Sequence, residues 1–381
     1  MSAIDPLELA RRLIACPSVT PAEGGALDVI EAALRPIGFE VHRFTVGEAP
    51  DGPVENLFAM RGSGAPHFAF AGHSDVVPPG LGWASDPFEP VVRGQLLHGR
   101  GAVDMKGAIA AFIAAAERTS GHAGTMSLII TGDEEGPATY GTAALIEWMD
   151  AHKIRPDLCL VGEPTSAARL GDTIKIGRRG SVNLWIEVPG MQGHVAYPQL
   201  ADNPIPRLVR ILDALDRWTL DAGNAWFQPS NLEITDVDTG NAATNVIPTR
   251  AGARLNIRFN DLQQGRALVD HVRSIVEAHA PGATLRARIS GEAFLTEPGA
   301  FVDLCSKAVR ETLGREPELS TAGGISDARF IRTLCPVVEL GLVGATMHAV
   351  DECVPTADIE ALTAVYRRLI EDYFTAFATV S

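Results

Sequence analysis

Cysteine is scarce in this sequence. Its five copies, Cys16, Cys159, Cys305, Cys335 and Cys353, are odd in number and never spaced C-x-x-C. That argues against a disulfide framework and a cysteine-built zinc site, and it points to a reducing cytoplasm. Basic charge is also in short supply: 32 Lys and Arg face 47 Asp and Glu, a formal net charge of −15. Phosphate binding needs clustered cations, so this balance argues against a general nucleic-acid role. No uncharged apolar run approaches the roughly 18 residues of a membrane span, so none is expected. The first residues, MSAIDPLELARRLIACPS, lack a basic segment followed by an apolar one, so no secretory leader is expected. They read instead as an amphipathic helix with Asp5 as N-cap and Pro6 at its first position. Walker A and G-x-G-x-x-G loops are missing too, which leaves nucleotide binding without support.

What is present is a globular composition, 46% hydrophobic and 21% charged, over 381 residues. That length exceeds one ordinary core and suggests two domains. Up to about residue 170, helical and strand patterns alternate. HFAFAG, MSLIIT and DLCLVGEP read as strands; MKGAIAAFIAAAERT and GTAALIEWMDAH read as helices. Such alternation predicts an α/β domain with a mostly parallel sheet. The pattern changes near Thr173. TIKIGRRGSVNLWIEV reads as a long strand or hairpin, then come NPIPRLVRILDALDRW (helix), NLEITDVD and RAGARLNIRFN (strands), QGRALVDHVRSIVEAHA (helix) and TLRARISG (strand). This β-α-β-β-α-β order is that of a ferredoxin-like module. The first pattern returns after about residue 293 with FVDLCSKAVRETLG, PVVELG and ADIEALTAVYRRLIEDYFTAFA. The expectation is one α/β domain, residues 1–178 and 293–381, interrupted by a ferredoxin-like insertion at 179–292.

Functional residues in open α/β sheets gather at the carboxyl ends of strands. Here those ends are rich in acids and histidines: His73 and Asp75 in FAFAGHSDVVP, Glu134 and Glu135 in LIITGDEEG, Glu163 in LCLVGEPT, and His348 in GATMHAVDE. Asp104 stands just before a helix in GRGAVDMKGA, where it is either a ligand or a helix cap. Singly, each has a bland reading as a loop, turn or surface residue. Together they converge on one sheet edge. Carboxylates mixed with imidazole suit Zn²⁺ or a similar first-row ion rather than Mg²⁺ or Ca²⁺. Two histidines with three carboxylates fit two metals sharing one carboxylate, an arrangement that activates water for hydrolysis. Glu134 and Glu135 are neighbours, so one can bind metal while the other takes the proton of that water.

Across nearly the whole chain, and in the same order, GHSDVVP, GRGAVDMKGA, TGDEEG, VGEPT, GRRGSVNL, MQGHVAYPQLADNPI and MHAVDECV resemble the dinuclear zinc aminoacylase and carboxypeptidase family M20. The resemblance implies roles by position. His73 and His348 would be terminal metal ligands, Asp104 the bridging carboxylate, and Glu135 and Glu163 the remaining ligands. Glu134 would be the general base, and Asp75 the acid that orients His73. It implies two Zn²⁺ per subunit, with Co²⁺ or Mn²⁺ able to fill one position. It also implies a cis peptide from Asp104 to Met105. The inserted module would be a dimerisation domain, making the protein a homodimer. His194 would reach the partner subunit's site to stabilise the oxyanion. The substrate would be a small anionic acyl-amino acid, met by Arg178, Ser181, Tyr197, Asn245, Arg258 and Gly324. Arg179 accompanies Arg178, and Tyr197 has core packing as its alternative. Arginine forks match carboxylates.

Some positions depart from the pattern. STAGGISDARF puts Ala322 and Ile325 where serine and threonine are usual, Gln199 follows Pro198 where histidine is usual, and Ala349 replaces a common lysine. None is a metal residue. Ile325 bears on substrate preference, because a lost hydroxyl alters recognition of a carboxylate. Two other readings stand beside the hydrolase: a deacylase or peptidase of different acyl preference in the same family, and a metal-binding protein without catalysis.

Overall fold

The computed structural model describes residues 3–119 and 121–377. Two compact units emerge. The first takes the chain up to Ile176, Thr296–Ser320 and the chain from Ser326 onwards; the second takes Gly177–Leu295 and Thr321–Ile325.

The first unit is built on an eight-stranded sheet. Its strand order is Glu40–Val46, Val54–Ser63, Gly124–Thr131, His67–His73, Leu158–Val161, Val337–Glu339, Thr173–Lys175 and Glu318–Ser320. The central run from Gly124–Thr131 to Val337–Glu339 is parallel. Antiparallel pairings flank it on both sides. Gly124–Thr131 and Leu158–Val161 are buried along their whole length. Leu158–Val161, LCLV, is the continuous apolar run expected of a strand covered on both faces. Helix Lys106–Arg118 and helix Thr356–Ala376 supply aromatic packing against the sheet. The Phe70 and Phe112 rings stack with centroids 4.1 Å apart, and Tyr366 meets both edge-on. The buried Tyr366 hydroxyl donates to the Leu340 carbonyl at 2.6 Å, so its polar end costs little. Asp5 caps helix Pro6–Ile14, accepting from the Leu7 and Glu8 amides.

The second unit has a four-stranded antiparallel sheet, ordered Asn231–Asp238, Arg250–Phe259, Gly180–Pro189, Thr284–Gly291. With helices Ile205–Asp216 and Gly265–His279 in sequence between strands, the order is β-α-β-β-α-β. Val182, Leu184, Ile186 and Val188 alternate along the first strand into one core with Ile211, Leu215, Leu268 and Val272. Period two on the strand and helical spacing opposite it define a two-layer module. The fold class is the α/β sheet plus ferredoxin-like module expected from the sequence.

Two details differ from the sequence expectation. The TIKIGRRGSVNLWIEV stretch is neither one strand nor one hairpin. It splits into Thr173–Lys175, Gly177–Arg178 and Gly180–Pro189, the first in the first unit's sheet and the last in the second unit's. The hairpin Glu40–Val46 and Val54–Ser63, unread in the sequence, extends the large sheet. Among the described residues no helix is long and apolar enough to cross a membrane.

Gly341 allows a close backbone approach beside Glu163. A Cβ on Gly341 would lie 2.3 Å from the Glu163 carbonyl oxygen and 2.6 Å from that of Gly162. Both atoms are backbone and cannot swing away. Gly341→Ala should therefore destabilise the chain by about 1–3 kcal/mol, read as a lower thermal midpoint. An unchanged midpoint would show that the backbone around Glu163 yields freely.

Candidate metal centre

Strand His67–His73 ends on His73, and Asp75 follows it. Gly124–Thr131 leads to Glu134 and Glu135, Leu158–Val161 to Glu163, and Val337–Glu339 to the loop carrying His348. Asp104 precedes helix Lys106–Arg118, whose cap position is Met105, with no side-chain cap bond. The helix-cap reading of Asp104 is thereby removed. Its carboxylate turns to the histidines instead: Oδ1 lies 3.1 Å from His73 Nε2 and Oδ2 lies 3.2 Å from His348 Nε2. The Asp104–Met105 peptide is cis.

The remaining acids gather around this pair. Glu163 Oε1 is 3.7 Å from His73 Nε2, and Glu135 Oε1 is 2.9 Å from His348 Nε2. Donor atoms of three groups lie within 4.8 Å of one another: His73, Asp104 and Glu163; Asp104, Glu135 and His348; and His73, Glu134 and Glu135. Asp104 belongs to two of them, and its two oxygens face different imidazoles. Nitrogen and oxygen donors in these numbers fit first-row divalent ions.

His73 is oriented through Nδ1, which lies 2.9 Å from the main-chain oxygen of Asp75. A carbonyl only accepts, so Nδ1 donates to it, while Nε2 faces Asp104 and Glu163. The Asp75 carboxylate lies farther from that ring, at 3.7 Å from Nδ1. Its oxygens accept from the Glu134 and Glu135 amides at 3.3 and 3.0 Å. Asp75 therefore ties two parts of the site together, His73 through its backbone and the acidic turn through its side chain.

The acidic triplet thus divides its labour. Buried Asp133 is committed to backbone, accepting from the Ala138, Thr139 and Tyr140 amides at 3.1, 2.7 and 3.0 Å. That carboxylate builds the turn which presents Glu134 and Glu135. Sequence reading assigned it no role, although an Asp just ahead of Gly136 and Pro137 is a turn signal. Asp327, also unassigned, is buried with Oδ2 accepting from Thr142 Oγ1 at 2.6 Å.

Charge is concentrated here. Burial pushes the Glu134 carboxyl well above its usual range, and Glu163 and Asp327 push it the same way. Burial likewise raises Asp75, to about 6. Burial would raise Asp104 as well, but His348 and His73 outweigh it and hold this carboxyl well below its usual range. Hydrogen bonds to Asp104 and Glu135 lift His348 to about 10. Burial opposes charge on His73, yet Asp104 and its neighbours raise it well above 6.5. Among protein groups alone, the imidazoles serve as the cations this acidic pocket demands.

The other residues singled out from the sequence belong to the second unit and form three clusters there. Arg178, buried, donates from Nη1 to the Gly324 carbonyl at 3.2 Å. Ser181 and Arg258 face each other across paired strands and share Asn256: its Nδ2 donates to Ser181 Oγ at 3.1 Å, and its Oδ1 accepts from Arg258 Nε at 3.0 Å. His194 and Tyr197 sit on an exposed segment with ring centroids 5.8 Å apart, and the Asn245 carbonyl accepts from the Val195 amide.

Known proteins share this architecture. Residues 69–372 match the model of peptidase family M20/M25/M40. The chain is 70% identical over 367 residues to the succinyl-diaminopimelate desuccinylase of Rhizorhabdus wittichii, covering 96% of this chain and 97% of that one. It is 62% identical to the enzyme of the same name from Sphingopyxis alaskensis, covering 97% and 99%. Among solved structures, a tripeptidase from Staphylococcus aureus superposes with a TM-score of 0.81 at 20% identity, covering 97% and 98%. The Bacillus subtilis YXEP protein, a dinuclear metal binding peptidase, gives 0.72 at 17%, covering 98% of each chain.

The acid–histidine geometry is testable by metal binding. Titrating Zn²⁺ into metal-free protein should raise its thermal midpoint, and Asp104→Ala should abolish most of that rise. An equal rise in the variant contradicts the shared role of Asp104. Both imidazoles hold protons near neutral pH, so metal must displace them. Apparent Zn²⁺ affinity should therefore strengthen as pH rises from about 6 to about 8, with proton release visible as buffer-dependent heat in calorimetry. Heat independent of the buffer contradicts this.

Proposed function

The chain belongs to peptidase family M20/M25/M40, and from that premise we propose that it hydrolyses the amide bond of N-succinyl-LL-2,6-diaminopimelate. The products are succinate and LL-2,6-diaminopimelate, a step in diaminopimelate and lysine biosynthesis. The observation that carries the hydrolytic mechanism is Asp104, whose two oxygens face two different imidazoles. Identity of 70% to a succinyl-diaminopimelate desuccinylase over nearly the whole chain supports the substrate.

In this reading His73, Asp104 and Glu163 would hold one Zn²⁺, and Asp104, Glu135 and His348 would hold the other. Co²⁺ or Mn²⁺ is able to replace one of them. When bound, such ions supply Lewis acidity: they acidify water and polarise the acyl carbonyl. Glu134 takes the proton of the attacking water and delivers it to the departing amine. Its burial suits that work, because it lifts the Glu134 carboxyl well above the usual carboxylate range and so favours taking up a proton. Asp75 orients His73 through its main-chain oxygen and holds the Glu134 amide. His194, from the partner of a homodimer formed through the second unit, donates to the developing oxyanion. Arg178, Ser181, Tyr197, Asn245, Arg258 and Gly324 receive the substrate's carboxylates. The reaction belongs in the cytoplasm, where the five free cysteines would stay reduced.

A second reading keeps the two-metal chemistry and changes the acyl group. It is favoured by Ile325, which brings an apolar side chain to the segment Thr321–Ile325, the stretch that joins the second unit. One experiment separates the readings. The zinc-loaded protein is given N-succinyl-LL-diaminopimelate, N-acetylornithine and an acylated dipeptide, alongside Glu134→Gln. The expected result is fast turnover of the succinyl compound alone, with kcat in the variant lowered about 10²–10⁴-fold and its metal content unchanged. Preference for another substrate supports the second reading. A variant as active as wild type overturns Glu134 as the base.

A further inference from the structure

The loops that carry Asp104 and His348, residues 99–105 and 346–353, are joined by a buried ion pair outside the acid–histidine set. Glu352 and Arg100 are 0% and 1% exposed. Arg100 Nη1 donates to Glu352 Oε2 at 2.7 Å, and the Gly101 amide donates to the same oxygen at 3.1 Å. Glu352 Oε1 accepts from the Val103 and Asp104 amides at 2.8 and 3.2 Å. One carboxylate thus collects three backbone N–H groups from the segment that ends on Asp104. The Glu352 carbonyl accepts from the Gly99 amide at 3.0 Å, and next to it Cys353 pairs with His98 in a small sheet.

Arg100 carries the connection to the other loop. Its Nη2 donates to the His348 carbonyl at 3.4 Å and to the Pro79 carbonyl at 3.3 Å, and its guanidinium lies 5.2 Å from the centre of the Trp83 ring. His348 needs such support. Its φ is +60°, and Asp351 in the same loop is at +57°. Non-glycine residues hold the left-handed region where their surroundings over-determine them.

We propose that Glu352, clamped by Arg100, is a positioning residue of the metal centre that sets the separation of Asp104 and His348. This rests on the reading of those two side chains as metal ligands. A carboxylate suits the position because every group facing it is a donor. Glutamine would turn an NH₂ toward N–H groups on one side. The Asp104 segment would then shift, and the shared carboxylate would no longer meet both metals at once.

The test uses the full-length protein, stripped of metal and titrated with Co²⁺, whose visible absorption reports ligand geometry. Wild type should bind two equivalents. Glu352→Gln should bind about 10–100-fold more weakly, with an altered absorption spectrum and a lower kcat at similar KM. Glu352→Asp, which keeps the charge, should recover part of each. Arg100→Lys keeps charge but loses the fork, and should weaken chiefly the second equivalent; it also serves if Glu352→Gln does not fold. A purely structural role lowers the thermal midpoint and leaves the spectrum and affinity of the folded protein unchanged, which overturns the inference. Wild type that binds no metal overturns the ligand reading itself, so the two failures are distinct.

Discussion

Buried negative charge is the constraint on which the first unit turns. Asp104, Glu134, Glu135 and Glu163 crowd around buried His73 and half-exposed His348, and around His73 water screens little. Carboxylates so placed either take up protons or gather cations. The directions of the shifts show both responses among the protein groups: Glu134 is pushed toward its neutral form, while Asp104 stays ionised by drawing both histidines into charge. Divalent ions would answer the same demand with more charge in less space, releasing the histidines to act as neutral ligands.

Such an arrangement survives only on a rigid base. The parallel strands supply fixed end points, packed by Phe70, Phe112 and Tyr366. Beyond the strand ends, other buried acids take over. Asp133 folds the acidic turn, Asp75 joins that turn to His73, and Glu352 gathers the amides before Asp104. Each is a carboxylate accepting backbone N–H groups, which satisfies donors that a buried loop would otherwise leave unpaired. Acids near the site therefore serve two tasks, and those that organise backbone are as deeply buried as those that face the histidines.

Much of this was legible in the sequence because strand ends and ligand types are local signals. His73, Glu134, Glu135, Glu163 and His348 each follow an apolar run, and the β-α-β-β-α-β order is plain from hydrophobic period. What stayed hidden depends on distant partners. Asp104 carries local signals for both a cap and a ligand, and only the cap at Met105 and the positions of His73 and His348 show that its carboxylate turns to the histidines. Glu352 is 248 residues from the Asp104 amide it accepts, with no spacing to reveal it. The hairpin at the sheet edge escaped because strand Val54–Ser63 mixes buried Asn56 and half-buried Glu55 and Arg61 with its apolar residues, which spoils period two. The break at Ile176 escaped because the run on either side is uniformly strand-like, and only the division into two units separates it.

The most direct test of the account measures hydrolysis of N-succinyl-LL-diaminopimelate against bound Zn²⁺ equivalents in metal-stripped protein. Activity should be lost on stripping and return as metal fills the Asp104 centre, reaching its plateau at two equivalents per chain. Full activity in the stripped protein, or a plateau well below one equivalent, would contradict a centre built on a shared Asp104.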